Sequence, residues 1–212
     1  MEVVLVDSPV ANVANIHRAL RCAGAEVTLT SDVATIAAAR KIVLPGVGSF
    51  AAAMSWLDES GVSDALRTAV ARGASLLGIC VGHQLLFDDS DEDGTRRGLG
   101  LLRGGVRRFT GAMPIPQIGW NRVYAAGHPL FDGIAEGTPF YFVNSYRVAG
   151  VEAEIARSEY AGAFTAAAAH ERVAGVQFHP EKSSAAGQRL LRNFVNVFPS
   201  PAAREKVARS AG

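Results

Sequence analysis

Short, almost wholly apolar runs alternate along the chain with stretches in which apolar residues recur every three or four positions. Residues 3–6 form the first run, a buried strand ended by Asp7. Ile16, Leu20 and Ala23 then fall on one helical face, and Gly24 ends that helix. Residues 26–30 read as a second strand, Ser31 as an N-cap, 33–40 as a short helix and 42–44 as a third strand. This βαβαβ order predicts a parallel, doubly wound sheet, which binds ligands at the carboxyl ends of its strands. Helices over 50–59 and 62–72 lead to a further apolar run, 76–79, and a short helix starts at Val81. Strands then dominate, over 105–109, 122–124, 140–143, 152–156, 164–168 and 173–177, before a closing helix over 185–197. The expectation is an α/β fold: a mostly parallel doubly wound sheet with flanking helices and a strand-rich C-terminal half. It spans one domain, 1–198, with a frayed tail over 199–212.

Composition narrows the partners. With 212 residues, 49% hydrophobic and 19% charged, the chain can bury a large core. A net charge of +1 gives no bulk attraction to nucleic acid or membrane. Two cysteines, Cys22 and Cys80, are too few for a disulfide scaffold. The N-terminus lacks the basic start and apolar run of a signal, and no segment approaches membrane-spanning length, so a cytoplasmic protein is expected. Residues 89–94 fit the first half of a calcium loop, but Gly100 stands where the twelfth-position Glu belongs. A solvated acidic loop is expected there, with no metal and no cofactor.

The candidate chemistry centres on Gly78-Ile79-Cys80-Val81-Gly82. This is the form of a nucleophile elbow with cysteine in place of serine. A nucleophile on so sharp a turn needs neighbours without a Cβ two residues away on each side. The turn places Cys80 at a helix N-terminus, where the dipole favours a thiolate. A buried, inert cysteine is the competing reading. Pro45-Gly46-Val47-Gly48 leaves the third strand at the same sheet edge. The N–H groups of Val47 and Val81 could form an oxyanion hole, or the segment could be an ordinary strand-to-helix turn. A cysteine nucleophile needs a base, and His179-Pro180-Glu181 supplies one with a carboxylate. Pro180 makes His179 extended, and residues two apart in an extended chain project to the same side. His83, one turn past Cys80, is the rival base but has no neighbouring carboxylate.

Together these segments resemble the class I glutamine amidotransferases. More narrowly they are similar to the glutaminase subunits of imidazole glycerol phosphate synthases. That similarity rests on Pro116-Gln117-Ile118-Gly119-Trp120-Asn121, Tyr141-Phe142-Val143-Asn144-Ser145-Tyr146 and Phe178-His179-Pro180-Glu181-Lys182-Ser183, within a match over about 2–197. The resemblance implies a Cys80–His179–Glu181 triad that hydrolyses L-glutamine through a thioester, with Val47 and Val81 as oxyanion donors. It also implies that Gly46, Gly48, Gln84, Ser145 and Tyr146 bind the substrate. The implied partner is a separate (βα)8-barrel cyclase that forms a heterodimer with the glutaminase and receives its ammonia. A barrel of about 250 residues cannot fit in this chain beside the glutaminase. The family usually has Met at His83, and commonly His at Gln117 and Asn144. The loop Asp7-Ser8-Pro9-Val10-Ala11-Asn12 lacks the family's usual glycines and tyrosine. Glutaminases feeding pyridoxal phosphate, guanylate or anthranilate synthesis, and a non-catalytic regulatory relative, are the competing assignments.

Overall fold

The computed structural model describes residues 1–8, 13–125 and 127–199. The chain begins with β1 (Glu2–Val6), α1 (Val13–Cys22), β2 (Glu26–Thr30), α2 (Val33–Ala38), β3 (Lys41–Gly46), α3 (Phe50–Glu59), α4 (Val62–Ala71), β4 (Ser75–Cys80) and α5 (Val81–Leu85). Short strands β5 (Asp89–Ser90), β6 (Arg96–Arg97) and β7 (Gly105–Arg108) follow, then β8 (Gln117–Ala125), β9 (Thr138–Asn144) and β10 (Tyr146–Arg147). The chain closes with β11 (Glu154–Glu159), β12 (Ala163–His170), β13 (Val173–Val176) and α6 (Ser184–Asn196).

Nine strands form one sheet in the order β2-β1-β3-β4-β13-β12-β11-β8-β9. The half from β2 to β13 is parallel, and the half from β12 to β9 is antiparallel. The apolar runs explain the division. Every residue of β3 and of β4 is buried, as strands covered on both faces require. In β8 the exposed positions alternate, as in a sheet with one open face. Helices α1 and α6 pack together, while α2, α3, α4 and α5 form a second connected group. The doubly wound half therefore stands as expected. The strand-rich half extends the same sheet, and a second sheet, β10-β7-β5-β6, lies beside it.

Several boundaries differ from expectation. The strand placed at 122–124 is the end of the nine-residue β8. The strand placed at 152–156 is β11, shifted to Glu154–Glu159. Asp32, not Ser31, caps α2: its carboxylate accepts from Thr35 N at 2.7 Å, a stronger acceptor than a hydroxyl. The acidic segment is tied down where a solvated loop was expected. Asp88 accepts from Gly104 N at 2.9 Å, Glu92 accepts from Phe50 N at 2.6 Å, and Arg107 pairs with Asp89. The tail from residue 200 onward and most of the first loop, 9–12, lie outside the described residues.

Three adjacent strands converge on one edge. Gly46 at the end of β3 is paired in register with Cys80 at the end of β4, and Val176 of β13 with Ile79. Below that edge, Phe178 is buried among Phe131, Phe140 and Phe142, with the Phe140 ring centroid 4.1 Å away. The residue before His179 is thus anchored in aromatic core.

Candidate active site

Cys80 has φ +57° and ψ −113°, a conformation costly for any residue with a Cβ. Close approach of the backbone on both sides holds it there. A Cβ on Gly78 would lie 2.4 Å from Gly82 O, and one on Gly82 would lie 2.0 Å from Leu44 O. The turn has the backbone shape of a nucleophile elbow, and its two glycines are there for the steric reason the sequence suggested. Cys80 Sγ lies 3.7 Å from Val143 O, at the wall of a cavity of about 290 Å³. That is the small end of ligand-site volumes and suits an amino acid.

His179 lines the same cavity. Its Nδ1 is 2.8 Å from Glu181 Oε1, and the two side chains are only 6% and 3% exposed. The pair forms differently from the extended geometry expected. His179 is extended, with φ −98° and ψ +96°, but residues 180–182 make a 3₁₀ turn that swings Glu181 back onto the ring. The turn is held from two sides. His179 N donates to Tyr141 O at 2.8 Å; Ser183 Oγ donates to His179 O at 2.6 Å and accepts from Tyr141 N at 3.0 Å. On the other side α6 comes so close that a Cβ on Gly187 would lie 1.9 Å from Pro180 O.

The electrostatics follow. Burial pushes the His179 imidazole down, but hydrogen bonds to Cys80 and Glu181, and the charges of both, outweigh it and hold it up at about 9. A base held by a carboxylate on Nδ1, lining the same cavity as a thiol, fits nucleophilic catalysis. His83 is elsewhere. It is fully buried, with Phe87 edge-on at 5.1 Å, and does not line the cavity. Burial pushes it down to about 3, and among the described residues neither ring nitrogen has a hydrogen-bond partner.

Of the other residues singled out, Val47, Gly48, Val81, Gln84, Ser145 and Tyr146 line the cavity. Gly46 does not; it lies beneath the elbow, where a Cβ would be 2.6 Å from Gly82 N. Gln84 Nε2 donates to Tyr146 O at 3.1 Å and to Gln177 Oε1 at 2.9 Å, and Asn144 Nδ2 donates to Tyr146 O at 2.9 Å. Glu92 is a lining residue that sequence reasoning missed. Burial pushes its carboxyl up, the Phe50 N–H opposes this, and Asp93 and Asp91 add to the rise. Nothing in an acidic run distinguishes the one member that turns inward. Ser183 and Gly187 were also missed as supports of His179; Gly187 leaves a trace as a glycine inside an amphipathic helix. Among the described residues, no group of three or more His, Cys, Asp or Glu side chains could hold a metal ion. Nor, among them, is any helix long and apolar enough to cross a membrane.

Comparison with known proteins shows the family. The glutamine amidotransferase class-I family profile matches residues 4–197. The chain is 43% identical over 197 residues to the imidazole glycerol phosphate synthase subunit HisH of Herpetosiphon aurantiacus, covering 92% of this chain and 94% of that protein. It is 45% identical to the HisH subunit of Chlorobium luteolum, covering 91% and 98% of the two chains. Among solved structures, a glutamine amidotransferase superposes with a TM-score of 0.73 at 20% identity, over 91% of this chain and 96% of that one. A chain of PurLQS from Thermotoga maritima does so with 0.70 at 17%, over 92% and 97%. The chain belongs to the class I glutamine amidotransferase family and, within it, to the HisH subunits of imidazole glycerol phosphate synthases.

Proposed function

We propose that this chain hydrolyses L-glutamine and passes the ammonia to a separate cyclase subunit that makes imidazole glycerol phosphate in histidine biosynthesis. The observation that carries the reading is the buried His179–Glu181 pair, whose imidazole lines the same cavity as Cys80. The Cys80 thiolate attacks the side-chain amide carbon. The resulting oxyanion receives N–H groups from Val81 and Val47, which flank the cavity. The Val81 N–H opens α5 and has no acceptor four residues back within that helix. His179 gives its proton to the amide nitrogen, the C–N bond breaks, and ammonia leaves. Water then attacks the thioester, His179 takes its proton, and Cys80 is released with glutamate. Glu181 keeps the imidazole in register throughout. Glu92 has one oxygen on Phe50 N; its other is available to the substrate's ammonium. Gln84, Ser145, Tyr146 and Gly48 shape the rest of the pocket, and Gly46 contributes by letting β3 approach the elbow.

The acceptor chemistry belongs to the (βα)8-barrel partner in a heterodimer. The reduced thiol the mechanism needs fits a cytoplasmic setting; both cysteines are free. Cys80→Ala in the assembled complex tests the division of labour. Glutamine-dependent turnover should vanish while ammonia-dependent turnover stays within a few-fold of wild type. Loss of both activities overturns the proposal.

A further inference from the structure

At the pole of the sheet opposite Cys80, a second cavity of about 420 Å³ is lined by Arg40, Arg72 and Arg172 together with Ala37, Ala38, Ala39, Gly73 and Ala74. Arg40 immediately precedes β3 and Arg172 immediately precedes β13. Arg72 caps α4 three residues before β4. Three neighbouring strands are thus each entered through an arginine that faces one hollow. None of the ion pairs or side-chain hydrogen bonds found among the described residues involves these three guanidinium groups. The nearby lysine cannot share the role: Lys41 Nζ is turned away onto the carbonyls of Phe194, Val195 and Phe198 at 2.6, 2.8 and 2.9 Å.

Three cations around one hollow without a counter-charge, Arg40 and Arg72 exposed and Arg172 half-buried, repel one another, and an oxyanion between them removes that cost. Guanidinium forks match phosphate oxygens two at a time. The remaining walls are methyl groups and backbone, with no aromatic or large aliphatic side chain to anchor a base, a lipid tail or a peptide. We propose that this hollow binds a small phosphate- or diphosphate-class anion.

Occupancy has a structural consequence. Ser75 N donates to Arg40 O and Leu76 N donates to Arg172 O, both at 2.9 Å. An anion bridging the arginines ties the starts of β3, β4 and β13 together. The far ends of the same strands carry Gly46, Cys80 and the approach to His179. The site does not depend on the glutaminase reading and can fail without it.

Inorganic pyrophosphate is the probe, titrated calorimetrically into the full chain at pH 7.5 and low salt, with chloride at matched ionic strength as control. Saturable 1:1 binding is expected, together with slowed hydrogen exchange at the Ser75 and Leu76 amides. One substitution, Arg172→Gln, should weaken binding about tenfold, the size of one lost charge-assisted bond. Arg40→Gln with Arg172→Gln should abolish both binding and protection while the circular dichroism stays that of wild type. Arg18→Gln, in the groove along α1, should change neither. If the arginines serve only to complement the carboxyl ends of α2 and α4, the double variant lowers Tm and pyrophosphate shows no saturable binding. That result overturns the proposal, as does binding that survives the double variant. Titration with phosphate and with sulfate separates a site for phosphoryl groups from one that accepts any dianion.

Discussion

Two histidines near the elbow are driven in opposite directions by their surroundings. His179 gains a thiol and a carboxylate and is held up at about 9; His83 gains nothing and is pushed down by burial to about 3. The linkage signs differ accordingly. For His179 the folded value lies above the unfolded one, about 6.5, so its stabilisation is complete below pH 6.5 and is lost as pH rises through 9. For His83 the folded value lies below it, so the unfolded chain takes up the proton first and stability falls as pH drops from 6.5 towards 3. One such group limits the slope to about 1.4 kcal/mol per pH unit. His83→Met removes two buried nitrogens without partners while keeping volume, and should stabilise the protein by about 1–3 kcal/mol at neutral pH. Thermal melts at pH 7 and pH 5 check this: Tm should rise by about 2–4 °C per kcal/mol, and the gain should be larger at pH 5. A Tm that falls at both values would mean that the imidazole has a partner in solution.

At the scale of elements, the site depends on how closely the His-Pro-Glu turn sits against α6. Gly187→Ala places a methyl carbon 1.9 Å from Pro180 O, so the turn must lift and carry His179 with it. Glutamine-dependent kcat should fall about a hundredfold, the usual cost of an ångström's displacement, while circular dichroism and partner binding hold. Steady-state kinetics of the complex decide it, and a wild-type kcat would show that α6 yields instead. The same turn shows what the sequence could convey. Gly78 and Gly82 flank Cys80 in a fixed local pattern, so the elbow was readable from five residues. The apolar runs of β1, β3 and β4 were equally plain, because strands covered on both faces need no alternation. The antiparallel half was harder. β8 exposes Ile118, Trp120 and Tyr124 on alternate positions, an apolar face that disguises the in–out pattern of a strand. Glu92 and Ser183 act through contacts with Phe50 and Tyr141, more than forty positions away in chain for both, and such pairings have no local signature.

For the whole molecule, that apolar face is the feature most in need of a partner. Ile118 and Trp120 are 64% and 54% exposed, side by side on the open face of β8. Contiguous exposure of this kind marks an interaction surface. It also borders the chemistry. Ile118 is paired across the sheet with Val143, whose carbonyl faces Cys80 Sγ, and Trp120 is paired with Tyr141, whose carbonyl receives His179 N. The Trp120 and Tyr141 rings pack edge to face at 6.0 Å. A subunit seated on Trp120 would therefore press on the strand that holds His179 and stand one strand from the cavity where ammonia is released. Trp120→Ala should weaken the heterodimer by about 2 kcal/mol or more, roughly thirtyfold in Kd, as truncation of a central aromatic usually does. Glutamine-dependent synthesis at subsaturating partner should fall in step. Labelling of Cys80 by a glutamine-analogue electrophile in the free chain should stay within a few-fold of wild type, because Trp120 does not line the cavity. Affinity measured by titration with the cyclase, set beside that labelling rate, separates docking from chemistry. Unchanged affinity with slowed labelling would place Trp120 on the catalytic side and move the docking face elsewhere.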